Sequence, residues 1–85
     1  MITTQESDTR SIARFPGGSV VRVVSLNAGK GALSRLCSLG LLPGTVVKVL
    51  TNGSGPVRLA FRDTEIAIGR TFAEKIIARK VEDHD

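Results

Sequence analysis

The sequence predicts a mainly β fold: a small barrel of about five short strands, with one short amphipathic helix over residues 31–39 and a helical turn near 70–75. Three observations lead there. Val, Ile and Leu alternate with polar residues along several short runs. Gly-rich and Pro-rich turns separate those runs. The chain has 85 residues, enough for one domain, and a sheet closed on itself supplies a core at that length. A domain so small buries only about 60% of the surface its unfolded chain exposes, so modest stability is expected.

Taken in order, residues 1–10 are polar and without periodicity and read as a mobile tail. The folded domain spans 11–81, and 82–85 form an acidic C-terminal tail. Ser11 is a capping residue before Ile12, Ala13, Arg14 and Phe15, which predicts one helical turn stopped by Pro16-Gly17-Gly18. Val20 to Leu26 is a β-branched run and a strand. It is apolar on both faces, which calls for a cover, and the following helix is the expected one.

In that helix Leu33, Leu36 and Cys37 recur at helical spacing, flanked by Ala32 and Leu39, with Lys30, Ser34, Arg35 and Ser38 opposite. Cys37 is therefore expected in the core. Gly40 sits where a left-handed residue ends a helix, which pairs Leu41 with Leu36 across the cap. Leu42-Pro43-Gly44-Thr45 suits a type II turn: proline fixes φ at the second place and glycine supplies positive φ at the third. A strand over Thr45–Thr51 follows, then Asn52-Gly53 and Ser54-Gly55-Pro56 as a hairpin connection. Val57, Leu59 and Phe61 alternate, Arg62-Asp63-Thr64 turn, and Ile66 and Ile68 alternate again. A last strand over 76–81 points Ile76 and Ala78 inward, because the opposite phase buries Arg79.

Chemistry finds little to work with. The chain has one His and one Cys, too few for a metal cage of its own, and no cofactor or catalytic residue is assigned. A Ser or Cys nucleophile needs a neighbouring base, and the one imidazole, His84, lies in the acidic tail. Asn27-Ala28-Gly29-Lys30-Gly31 is reminiscent of a phosphate-binding loop, but Val24 stands where its first glycine belongs and Gly31 replaces the magnesium-holding hydroxyl. Glu6 and Asp8 interrupt any secretory signal, so a cytoplasmic location is expected. The longest uncharged stretch, between Arg35 and Lys48, contains Gly40, Pro43 and Gly44 and cannot span a bilayer, leaving only indirect membrane association. A single cysteine excludes an intrachain disulfide.

Charge is unevenly spread. All twelve Lys and Arg lie between Arg10 and Lys80, opposed there by Asp63, Glu65 and Glu74 alone, a net of +9 for that segment. A basic body attracts something acidic: nucleic acid, an anionic membrane or an acidic protein face. Nucleic acid fits less well, since the chain has no Trp or Tyr and three Phe, and single-strand readers stack bases on aromatics. For the same reason it lacks the groove that grips proline-rich peptides.

Leu36-Cys-Ser-Leu-Gly-Leu-Leu-Pro-Gly-Thr-Val-Val-Lys-Val-Leu50 resembles the signature of the FeoA family, in which a helix ends in Leu-Gly-Leu, a Pro-Gly turn follows and an alternating valine strand begins. Ser11 to Leu26 resembles the family's opening, and Ile66 to Ala78, with Ala73-Glu74-Lys75-Ile76, its close. Leu36, Leu39, Gly40, Pro43 and Gly44 are the structural motif. The resemblance implies an SH3-like barrel and a cytosolic accessory of ferrous iron uptake and iron homeostasis that docks on the cytosolic, GTP-binding part of the FeoB-type permease. The barrel is also similar to a domain of metal-dependent repressors, so a basic nucleic-acid-binding or regulator-like module is the alternative. Arg35, Leu41, Leu42, Val46 and Leu50 are the expected partner contacts, Val46 standing where the family often has a polar residue. Pairing of two copies through an open strand edge is a further expectation.

Overall fold

The computed structural model describes residues 9–27 and 29–81. In chain order these form β1 (Thr9–Ser11), a 3-10 turn (Ile12–Arg14), β2 (Val20–Leu26), α1 (Lys30–Leu39), β3 (Val46–Thr51), β4 (Val57–Phe61), β5 (Thr64–Ile68), α2 (Arg70–Ala73) and β6 (Ile76–Lys80). The strands make one antiparallel sheet in the order β1-β6-β2-β3-β4-β5. Six strands are present where about five were expected. The extra one, β1, begins at Thr9, inside the segment read as a tail, and pairs Thr9, Arg10 and Ser11 with Arg79, Ala78 and Ile77. Its polar sequence carries no strand signal; the ladder it completes on β6 satisfies backbone groups that would otherwise form an edge. The rest of the expected tail, residues 1–8, and the acidic segment 82–85 with His84 lie outside the described residues.

The core forms where the alternation places it. Val21 and Val23 of β2, Val47 and Val49 of β3, Val57, Leu59 and Phe61 of β4, Ile68, and Ile76 and Ala78 of β6 all point inward, joined by Ile12, Ala13, Phe15, Leu36, Leu41 and Ala73. Each buried Val, Leu, Ile or Phe side chain contributes about 1.5–3 kcal/mol through its removal from water. The inward phase expected for β6 is the one observed.

Two bulges modify the strands. A register shift between Val23 and Ser25 leaves Val24 as an extra residue against β6, and another between Val49 and Thr51 does the same for Leu50 against β4. A bulge re-aims side chains. Val24 keeps the outward facing that alternation with Val21 and Val23 gives it and Ser25 after it is exposed as well, while Leu50, expected on the outward face, is half-buried.

The helix differs from its expected role as a lid over β2. Leu36 is its one buried residue, with Ala32 and Leu39 half-buried, whereas Leu33 and Cys37 are exposed. The inward stripe is thus 32-36-39, one residue wide per turn. Its orientation is set at the C-terminus, where Gly40 adopts φ 86° and donates to the Cys37 carbonyl at 3.0 Å while Leu41 donates to Leu36 at 3.0 Å. This is the expected glycine cap, and it carries Leu36 and Leu41 together into the core. The Phe61 ring lies 3.5 Å from where a Gly40 Cβ would stand. With the helix seated through its last turns, Leu33 and Cys37 rotate away from the sheet, and Val20 and Val24 remain uncovered.

A polar junction holds the opposite end of the barrel. Asn52, at the start of the β3–β4 connection, donates through Nδ2 to the carbonyls of Ala13 at 2.5 Å and Phe15 at 2.7 Å. Its Oδ1 accepts from Arg70 Nη2 at 2.7 Å, and the same guanidinium reaches the Gly53 carbonyl. Ser11 adds to this junction, accepting from Ala13 N–H at 3.2 Å as the expected cap and donating to the Ala73 carbonyl at 3.2 Å. The 3-10 turn, the hairpin tip and α2 are tied through one amide side chain.

Two outcomes in chemical denaturation check these assignments. Leu36→Ala is expected to cost about 2–5 kcal/mol, while Leu33→Ala and Cys37→Ser stay within about 0.5 kcal/mol of the parent; equal losses would place the helix in another rotation. Asn52→Ala, which strands two carbonyls, is expected to cost about 1–3 kcal/mol.

Candidate docking face beside the Pro-Gly turn

The turn after α1 positions the surface the sequence singled out. Thr45 N–H donates to the Leu42 carbonyl at 3.0 Å and Gly44 has φ 98°, which is the type II geometry expected of Pro43-Gly44. The turn is fastened to β2: Gly44 N–H donates to the Val23 carbonyl at 2.7 Å, and Val23 N–H to Thr45 at 2.8 Å. At the far end Gly18 N–H donates to Val49 at 2.6 Å and Val49 N–H to Ser19 at 2.8 Å. The neighbouring Gly17 has no room for a side chain, since its Cβ would stand 2.8 Å from the Leu50 carbonyl oxygen.

Of the five expected contact residues, two share this face. Leu42 is 48% exposed on the turn and Val46 is 42% exposed at the start of β3. Leu41 is excluded, being fully buried; the glycine cap that was expected to bring it against Leu36 is what removes it from the surface. Arg35 is exposed on α1, its guanidinium 5.5 Å from the centroid of the Phe72 ring, so it is tied to α2 rather than to Leu42. Leu50 lies four residues along β3 from Val46, about 13 Å away, beside the Pro16–Gly18 loop.

Sequence reasoning missed the β2 half of this surface. Val24, 40% exposed, follows Val23, whose backbone is bonded to the turn, and Val20 is also exposed. Arg22 lies opposite Val46. The signal was present in Val20, Arg22 and Val24 alternating with Val21 and Val23, but the expected helical cover hid it. The face as built is apolar at the turn and becomes cationic along β2 and β3, where Lys48 stands opposite Val20.

Among the described residues no group of three or more His, Cys, Asp or Glu could hold a metal ion. No helix among them is long and apolar enough to cross a membrane. Asp63, Glu65 and Glu74 are exposed, Glu65 pairing with Arg58 at 3.1 Å on the surface.

Comparison with known proteins agrees with the fold. The FeoA domain family model matches residues 10–80. A curated relative from Methanocaldococcus jannaschii, whose assignment as Fe(2+) transport protein A is itself inferential, is 42% identical over 65 residues, covering 76% of this chain and 79% of the relative. The crystal structure of an iron uptake regulatory protein (FeoA) matches with TM-score 0.81 at 28% identity, covering 86% of this chain and 99% of that one. IdeR of T. acidophilum matches with TM-score 0.78 at 22% identity over 34% of its length, a likeness that shows the fold alone. The family match spans nearly all of the described residues, and both the alternating valine strand and the glycine-capped helix are in place: the chain belongs to the FeoA domain family of ferrous iron transport, with an SH3-like barrel fold.

Proposed function

We propose that this protein is a cytosolic accessory of ferrous iron uptake that docks on the cytosolic part of the FeoB-type permease and modulates it without chemistry of its own. The observation that carries this reading is the exposed apolar surface of Leu42, Val46 and Val24 around a rigid turn. Side chains of this kind gain about 25 cal/mol for each Å² they lose to a partner. The turn that presents them is fixed by four hydrogen-bonded or dihedral constraints on Leu42, Gly44 and Thr45, so little ordering entropy opposes docking.

Membership of the family supports the link to ferrous iron transport. The structural likeness to repressors extends to the fold and not to DNA binding. The phenylalanines support that distinction: Phe15 and Phe61 are buried and Phe72 is half-buried, which leaves no exposed stacking platform among the described residues.

The test is a calorimetric titration against the cytosolic domain of the permease, with and without guanine nucleotide. The parent chain is expected to bind, and Leu42→Glu to weaken binding about tenfold or more, as expected for a charge placed in an apolar contact. Absence of binding by the parent under both nucleotide conditions would contradict the reading.

A further inference from the structure

The outer face of β6, β2 and β3 combines cations and exposed valines with no carboxylate on any of the three strands. Register sets Arg22 between Arg79 of β6 and Val46 of β3, and Val20 opposite Lys48. Arg22 and Arg79 are therefore direct cross-strand neighbours on the solvent side. Like charges in that position destabilise a sheet. Arg79 Nε donates to Thr9 Oγ1 at 3.3 Å, which does nothing to neutralise it, and no carboxylate pairs with Arg22 among the described residues. The acids that are described stand elsewhere: Asp63 on the β4–β5 turn, Glu65 on β5 beside Arg58, and Glu74 after α2.

Two facing arginines add nothing to the ladder that a neutral pair would not supply, and they cost it a like-charge repulsion. We infer that this face is a docking surface for an acidic protein segment, one that seats carboxylates on Arg22 and Arg79 while its apolar side chains cover Val20, Val24 and Val46. Guanidinium groups take carboxylates through paired charge-assisted hydrogen bonds, and two of them side by side give that contact direction as well as strength. The valines decide among anionic partners. A phosphate backbone offers them nothing and finds no exposed aromatic for its bases; a lipid surface would need deeper-reaching apolar side chains than valine. A protein segment mixing carboxylates with apolar residues matches both halves of the face. The inference deepens the proposed docking by naming the partner's chemistry, and it rests on that reading only for the partner's identity.

The test uses the 15N-labelled full chain titrated with four probes: the permease cytosolic domain, a synthetic peptide alternating Glu and Val, a single-stranded RNA oligonucleotide, and phosphatidylserine vesicles. The acidic peptide is expected to shift the amides of Arg22, Val24, Val46 and Arg79, with affinity falling as salt rises. Arg22→Glu is expected to weaken that binding about tenfold or more while raising Tm by about 1–8 °C, because it converts a repelling cross-strand pair into an attracting one. A variant that is both more stable and unable to bind is the signature of a residue kept for contact. The inference is overturned if the peptide leaves these amides unmoved, if Arg22→Glu binds as the parent does, if Arg22→Glu lowers Tm, or if RNA or vesicles engage the face more tightly than the peptide. Permease binding that is lost in Leu42→Glu and kept in Arg22→Glu overturns this inference alone. Peptide binding without permease binding overturns the proposed partner and leaves the face as assigned.

Discussion

The pairing register of β2 with β3 is the constraint from which core, turn and surface follow. Side chains alternate with a period of two, so a slip of β2 by one residue would send Val21 and Val23 outward and draw Arg22 into the core against Val47 and Val49. Burying cations in an apolar interior is too costly to persist. The register is also tied at both ends by backbone bonds outside the strands, through Gly18 and Ser19 to Val49 and through Gly44 and Thr45 to Val23. Positive φ at Gly18 and Gly44 allows those ties.

Much of this was legible in the sequence, for reasons that are local. Ser11 as a cap, Gly40 as a left-handed stop, Pro43-Gly44 as a type II turn and the inward phase of Ile76 and Ala78 each depend on a few adjacent residues, and each is observed. Tertiary pairing decided the rest. Strand β1 exists because β6 offers an edge, which nothing in Thr9-Arg10-Ser11 announces. The spacing of Leu33, Leu36 and Cys37 was right for a helix, yet which side of it faces inward was settled by the cap and by Phe61 beneath it.

The candidate site was legible in part for the same reason. Leu42 and Val46 are read from the turn and the alternation that follows it. Leu41 left the surface through the very cap that was expected, and Leu50 turned partly inward at a bulge. Val24, Arg22 and Arg79 join the face only through strand pairing between distant parts of the chain. Asn52 had read simply as a turn residue; its three hydrogen bonds reach residues 18 to 39 positions away, beyond any local signal. The polar junction it forms and the exposed face lie at different ends of β3, so rigidity at one end coexists with an open surface at the other.

The most direct measurement is a set of cross-strand nuclear Overhauser contacts in solution. The register described here predicts close approach of Arg22 to both Val46 and Arg79, and of Val20 to Lys48, together with slow amide exchange at Val23 and Val49. Contacts displaced by one residue along β2, or rapid exchange at both amides, would contradict it.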